Sequence, residues 1–366
     1  MTKRRVACLL GVLTLMPGIV PAWAEAPKVA IYNWNDYIGT DTLDSFTKAT
    51  GFETTYDVYD SLETLEQKLL VEHSGYDVVV PTAEPTLSRL IRAQAVQKLD
   101  KSRLPNLKNL DPALMRLVAG ADPGNDYGVI YQWGTIGLGI NPARIKALLP
   151  DAPLESWDLL FKPENAAKLA ACGITILDSE IDVIPTVLHY LGLDPNSEKP
   201  GDLERAELLL QALRPFVKTF VTDQTIDMLA HGEACLAFAY SGDVLQARER
   251  AQATGAAGSV TYVIPKEGAE VWFDTLAIPA DAANPAGAHA FINYVLQPEV
   301  MAGISNTVHY ANAVSASLPL LEPSVRDDPA VYPPPEISTK FFTVTAISEA
   351  AETARARLWA RIRTEP

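Results

Sequence analysis

Val29-Ala30-Ile31-Tyr32-Asn33-Trp34-Asn35-Asp36-Tyr37 is the stretch on which the reading of this chain turns. The apolar run 29–31 has the composition of a buried β-strand, yet Asn and Asp favour turns, so a core strand does not end this way by accident. The stretch therefore predicts three aromatic rings and a carboxylate presented at the C-terminal edge of a strand, ahead of Gly39. In open α/β sheets that edge is where ligands bind. Ring faces beside a carboxylate suit an organic cation, which gains both the ring quadrupole and a charge-assisted hydrogen bond. The alternative is an aromatic turn packed under a loop.

Outward from this stretch, short apolar runs alternate with amphipathic segments, the pattern of βα units. Thr40 or Asp41 can cap a helix that carries Leu43 and Phe46 and ends before Gly51. Residues 52–58 read as a strand, Asp60 with Glu63 as a capping box ahead of Leu65, Leu69 and Leu70, and 77–80 as a buried strand stopped by Pro81. Pro81-Thr82-Ala83-Glu84-Pro85 is then a second strand-end loop, expected near the first. Glycines 134, 137 and 139 follow an apolar run at 127–131; they let a strand bend where a chain crosses between domains, or mark bulges, and their spacing is not that of a nucleotide loop.

Helices are expected at 142–149 and 156–171, then a strand at 173–177 that runs into Asp178-Ser179-Glu180-Ile181-Asp182. That acidic cluster is either a site or a helix start with acids in its first turn. Helices at 183–191, 202–214 and 223–230 lead to a strand at 234–239 and then Tyr240-Ser241-Gly242-Asp243, where Asp243 opens the next helix; capping alone would account for it. Segments 260–264 and 271–278 read as a strand pair around the turn Pro265-Lys266-Glu267-Gly268. Trp272 and Asp274 share a face of the second by the period of two. A buried carboxylate is costly unless paired, so Asp274 either meets a cation or lies at the surface. A helix from Asn284-Pro285 to Pro298 precedes another aromatic loop, His309-Tyr310-Ala311-Asn312, and two terminal helices are expected around Phe341 and Trp359.

At 366 residues, 48% hydrophobic and 20% charged, the chain can form two domains with large cores and is not of disordered composition. Lys3, Arg4 and Arg5, an apolar stretch at 6–20 and Pro21-Ala22-Trp23-Ala24 read as a signal peptide (1–24) cleaved before Glu25. Export to the periplasm follows, with no membrane insertion of the mature chain, since no later run approaches the ~20 apolar residues of a span. Cleavage removes those three positive charges and no acid, moving the net charge from −15 to −18, which argues against nucleic acid as a partner. Cys172 and Cys235 then remain, and an even count in an oxidising compartment points to one disulfide, with two separate buried thiols as the alternative. The five histidines lack ligand spacing, and no metal or cofactor site is indicated.

With these loops in view, the chain resembles the periplasmic polyamine-binding proteins of bacterial ABC importers, the putrescine-binding type most of all. The likeness runs through the whole mature chain and includes Asp100-Lys101-Ser102, Ser156-Trp157-Asp158-Leu159, Leu191-Gly192-Leu193-Asp194-Pro195-Asn196-Ser197, Pro265-Lys266-Glu267-Gly268-Ala269 and the cysteine pair. The resemblance implies a two-lobed α/β periplasmic binding protein fold (type II), with lobe 1 at 27–133 plus 275–311, lobe 2 at 134–274 plus 312–366, and a hinge between the discontinuous lobes. It implies that Trp34, Tyr37, Tyr240, Trp272 and Tyr310 line a slot for the methylene chain, that Asp36, Asp182, Asp243 and Asp274 serve the ammonium ends, and that Asn35 and Thr82 make polar contacts. An inner-membrane ABC permease is the implied partner. The family pattern has Glu at Asp182, Ser near Glu84, Trp near Tyr240 and Phe near Trp272. From these departures, putrescine binding with tolerance of spermidine is expected, with Glu84 either meeting the added ammonium or standing as a solvated acid that starts the next helix. Three other functions compete: a polyamine sensor that signals to a membrane receptor, a secreted hydrolase with two of these carboxylates as acid and base, and an anion- or iron-binding protein of similar lobes, which would need basic or His and Tyr ligands where these loops are acidic.

Overall fold

A computed structural model describes residues 27–71, 73–255 and 260–364; the expected signal peptide and its cleavage site lie outside them. Among the described residues, ten strands form one mixed sheet: β1 (Lys28–Trp34), β2 (Glu53–Tyr59), β3 (Val78–Val79), β4 (Gly128–Ile140), β5 (Ile174–Ile176), β6 (Thr219–Phe220), β7 (Leu236–Tyr240), β8 (Thr261–Val263), β9 (Val271–Ala277) and β10 (Ala311–Asn312). The order is β2-β1-β3-β9-β4-β7-β5-β6, with β8 and β10 also on β4. β1 is parallel to β2 and β3, and β5 is parallel to β6 and β7, so each end of the sheet is built from βα units. Between them β4 and β9 run antiparallel.

β4 joins the two ends. Its first part, through Thr135, pairs with β9, and its last part, from Ile136, pairs with β7, with a register shift between Ile130 and Trp133. The glycine-rich segment is therefore a single bulged strand that crosses the molecule. Gly134 serves close packing: a Cβ there would come within 2.7 Å of the Trp272 ring.

The central strands are apolar on both faces, as a sheet covered by helices requires. Val29, Ile31, Val78, Ile136, Leu138, Leu236 and Phe238 are buried, and the helices Pro285–Val295 and Pro298–Val308 pack Phe291, Ile292 and Ile304 into the same core. The Cys172–Cys235 disulfide is present, with 5.5 Å between its Cα atoms; it ties the start of β7 to the turn ahead of β5.

Several local expectations are corrected. β8 and β9 do not pair with each other; both lie antiparallel along one edge of β4, end to end, with 264–270 as an excursion between them. The long β4 offers a full row of hydrogen-bonding groups to both, and the turn between them is held elsewhere, with the Glu267 carboxylate accepting from the Ser156 hydroxyl at 2.5 Å and the Trp157 amide at 3.1 Å. At the helix Leu62–Val71 it is Ser61, not Asp60, whose side chain receives the Thr64 amide, so the Asp60–Glu63 box does not form. Asp41 makes no side-chain cap at Thr42–Thr50, although Gly51 closes that helix at φ 77°. Pro298 opens a new helix as it ends the last one, because its missing N–H costs nothing at a first turn. Phe341 is not helical; Phe342 beside it bridges Glu270 in an extended segment, and the final helix is Glu349–Thr364.

Candidate functional site

β1 and β2 are parallel and finish side by side, Trp34 opposite Tyr59, so whatever follows them emerges at one edge. β1 runs further than its apolar core indicates, through Trp34. Tyr32 points away from the edge and stacks on Tyr76 at 4.3 Å between centroids. Asp36 then takes a left-handed conformation, φ 51°, which Asp tolerates better than most residues. The turn sets Trp34, Asn35, Asp36 and Tyr37 along a cleft of about 740 Å3.

All twelve residues singled out from the sequence line this one cleft: Trp34, Asn35, Asp36, Tyr37, Thr82, Glu84, Asp182, Tyr240, Asp243, Trp272, Asp274 and Tyr310. They come from six separated segments and from both ends of the sheet. The rings meet edge to face: Tyr37 with Tyr310 at 5.2 Å, Tyr310 with Trp272 at 5.3 Å and Trp272 with Tyr240 at 5.8 Å. Trp34 leans on Tyr59 at 4.7 Å and donates its indole N–H to the Val80 carbonyl at 3.1 Å. Such an apolar wall, fixed by mutual ring contacts, shapes a slot for a narrow chain. Gly242 makes room for it, since a Cβ there would lie on the Tyr310 ring.

The carboxylates sit between these rings. Asp274, 4% exposed, accepts from the Thr82 hydroxyl at 2.7 Å and faces the Tyr37 hydroxyl. It belongs to the buried half of the alternative posed by its sequence. Asp243 is in the first turn of the helix Ser241–Ala253 and accepts from the Tyr310 hydroxyl at 2.7 Å, so it does more than begin a helix. Asp182, in the first turn of Glu180–Tyr190, accepts from the Tyr240 hydroxyl at 2.6 Å. Asp36 is the most open of the four; it lies 3.4 Å from Arg250 and 3.2 Å from the Asn35 amide nitrogen. Glu84 also faces the cleft, but its Oε2 accepts from the Ser88 hydroxyl at 2.9 Å and the Ala346 amide at 3.1 Å.

Burial dominates the electrostatics. It pushes Asp274 and Asp243 up to about 7 and raises Asp182, although hydroxyl donors stabilise the charged form of each. The slot therefore holds carboxyl groups poised to ionise when a cation arrives. Aromatic walls with several such carboxyls can take an elongated organic cation, binding its charges at the acids and its apolar stem on the rings.

The sequence reading missed Tyr59, Asp60, Thr222, Asp223 and Glu270, all of which line the cleft. The first two follow from the rule already used for β1, since they stand at the end of the neighbouring parallel strand. Thr222 and Asp223 follow β6 in the same way. Glu270 precedes Trp272 and Asp274 at the same spacing of two, so the face that carries these two continues back to it.

Comparison with known proteins agrees with this geometry. Residues 41–333 match the family described as bacterial extracellular solute-binding protein. The putrescine-binding periplasmic protein SpuD of Pseudomonas aeruginosa is 46% identical over 100% of both chains. The putrescine-binding periplasmic protein PotF of Escherichia coli is also 46% identical, over 93% of this chain and 92% of its own. Among solved structures, the spermidine/putrescine ABC transporter substrate-binding protein PotD of Streptococcus pneumoniae superposes with a TM-score of 0.73 at 27% identity, covering 92% of this chain and 98% of its own. On these matches, the chain belongs to the bacterial extracellular solute-binding protein family and has the α/β fold of the periplasmic binding proteins.

Proposed function

We propose that this protein captures polyamines, putrescine and also spermidine, in the cleft and hands them to an ABC-type permease in the inner membrane. The observation that carries this reading is the set of cleft carboxyls, Asp182 and Asp274 buried and Asp243 half-buried, held inside a ring of five aromatic side chains. An ammonium entering the slot loses its water and recovers it as charge-assisted hydrogen bonds to these acids. Each methylene buried on the rings adds about 0.8 kcal/mol. Carboxyls thus select charge and the rings select a thin, unbranched stem. Trp34, Tyr37, Tyr240, Trp272 and Tyr310 form the walls in this reading; Asp36, Asp182, Asp243, Asp274 and Glu84 meet ammonium groups, and Asn35 and Thr82 add polar contacts.

Two lobes, 27–133 with 275–311 and 134–274 with 312–366, close on the ligand, and the change of partners along β4 near Thr135 supports a boundary there. A ligand that touches both lobes favours the closed form, which is the form a permease reads. The protein works in the periplasm after removal of residues 1–24. The test is calorimetry on the mature chain with putrescine, cadaverine, spermidine and spermine. Saturable one-to-one binding of putrescine is expected, and no heat with any of the four would refute the proposal.

A further inference from the structure

Glu270 is a cleft carboxyl with no assigned role. It sits just before β9, 3% exposed, in line with Trp272 and Asp274 on the strand face that forms the cleft wall. Its carboxyl and that of Asp182 influence each other within the same buried part of the cleft, and a proton on one of them relieves the repulsion of two desolvated acids. Among the described residues its Oε2 has no hydrogen-bond partner. A buried oxygen without a donor is costly, and because Glu270 lines the cleft a ligand N–H is the natural group to satisfy it.

The acids of the cleft fall into three stations. Asp36 and Asp243 interact across the first, Asp274 beside Tyr37 and Thr82 forms the second, and Asp182 with Glu270 forms the third, coupled to Asp274 through Asp182. A diamine has a charge for two stations and a triamine for all three. Glu84 is less suited to a third charge, because its Oε2 already holds Ser88 and Ala346.

We propose that Glu270 is a ligand-contacting, specificity-determining residue that forms with Asp182 a two-carboxyl subsite for the additional ammonium of a triamine. The inference rests on the polyamine reading above. When a diamine is bound, the pair keeps its proton and carries a single negative charge. When a triamine is bound, the incoming ammonium replaces the proton as the bridge between the carboxyls, and the proton leaves to solvent. Burial and the Asp182 carboxylate both favour the protonated form of Glu270. The groups that face it are Asp182 from the helix Glu180–Tyr190, Tyr240 from β7, and Arg355 from the helix Glu349–Thr364. Arg355 opposes the shift, but its guanidinium is engaged by the carbonyls of Pro195 and Ser197, both at 3.0 Å.

The test is calorimetry with putrescine and spermidine on the native protein and on Glu270→Gln, in two buffers of different ionisation enthalpy. In the native protein spermidine should release about one more proton than putrescine, since one shared proton is displaced. In Glu270→Gln that difference should vanish, with spermidine weakened about 10-fold or more and putrescine less than about 3-fold. Equal proton release by the two ligands in the native protein overturns the inference whether or not the variant folds. So does an equal loss of both affinities in a folded variant, or failure of the native protein to bind spermidine while it binds putrescine. If the native protein binds neither, it is the polyamine reading itself that falls.

Discussion

Asp274→Asn isolates the charge at the centre of the cleft. The amide keeps the volume of the carboxylate and still offers an oxygen to the Thr82 hydroxyl now 2.7 Å away, so the walls need not move. What is lost is the counter-charge for a desolvated ammonium. Removing one partner of a buried ion pair costs roughly 3–5 kcal/mol, which at about 1.4 kcal/mol per decade is a 100-fold to several-thousand-fold rise in Kd. The cost of ionising Asp274 must be subtracted. Burial holds it up to about 7, so at pH 7 it is half ionised and the ligand spends only ~0.4 kcal/mol to complete the process. The sign follows: the neutral form prevails below that value, the ligand needs the charged form, and affinity is full at higher pH and falls as pH drops through 7. Two units lower, near pH 5, each such carboxyl weakens putrescine binding about 100-fold, and Asp243, also up to about 7, does the same. Calorimetry with putrescine at pH 8 and pH 5 therefore gives two readouts. The variant should be at least 100-fold weaker at pH 8, and its further loss at pH 5 should be smaller than that of the native protein by about one group's share. A Kd within about 3-fold of native at pH 8 would refute the reasoning, because no desolvated charge could then rest on Asp274.

Three further outcomes are expected. Replacing Cys172 and Cys235 together by Ala should lower unfolding stability by about 4 kcal/mol on the chain-entropy estimate for a loop closed across 63 positions, measured by denaturant titration; a loss below about 1 kcal/mol would count against it. Gly242→Ala should weaken putrescine binding about 10-fold or more, since the added methyl displaces the Tyr310 ring that donates to Asp243; an affinity unchanged in calorimetry would show that the ring can yield without cost. Glu84→Ser should shift the affinity ratio from spermidine toward putrescine, but less than Glu270→Gln does, and a larger shift would reverse the ranking of the two acids.

The local sequence determined where strands end, and with that most of the cleft. Asn and Asp after an apolar run mark the end of a strand, and parallel strands of an α/β sheet place their ends on one edge, so Trp34–Tyr37 and the loop with Thr82 and Glu84 could be read as neighbours before any contact was known, while Tyr240 and Asp243 joined them only through the family resemblance. The period of two put Trp272 and Asp274 on a common face for the same reason. Only the tertiary structure decided which strands are neighbours. The period says which face a residue occupies, but every strand carries the same backbone donors and acceptors, so nothing local told 260–264 and 271–278 to lie end to end along β4 and not against each other. The same limit hid Glu270. An acid two residues before a cleft residue is an ordinary surface acid until the fold buries it in the same cleft as Asp182, which lies 88 positions earlier in the chain, on a helix. Charge state depends on distance and solvent exclusion, and both are set by packing between segments remote in sequence.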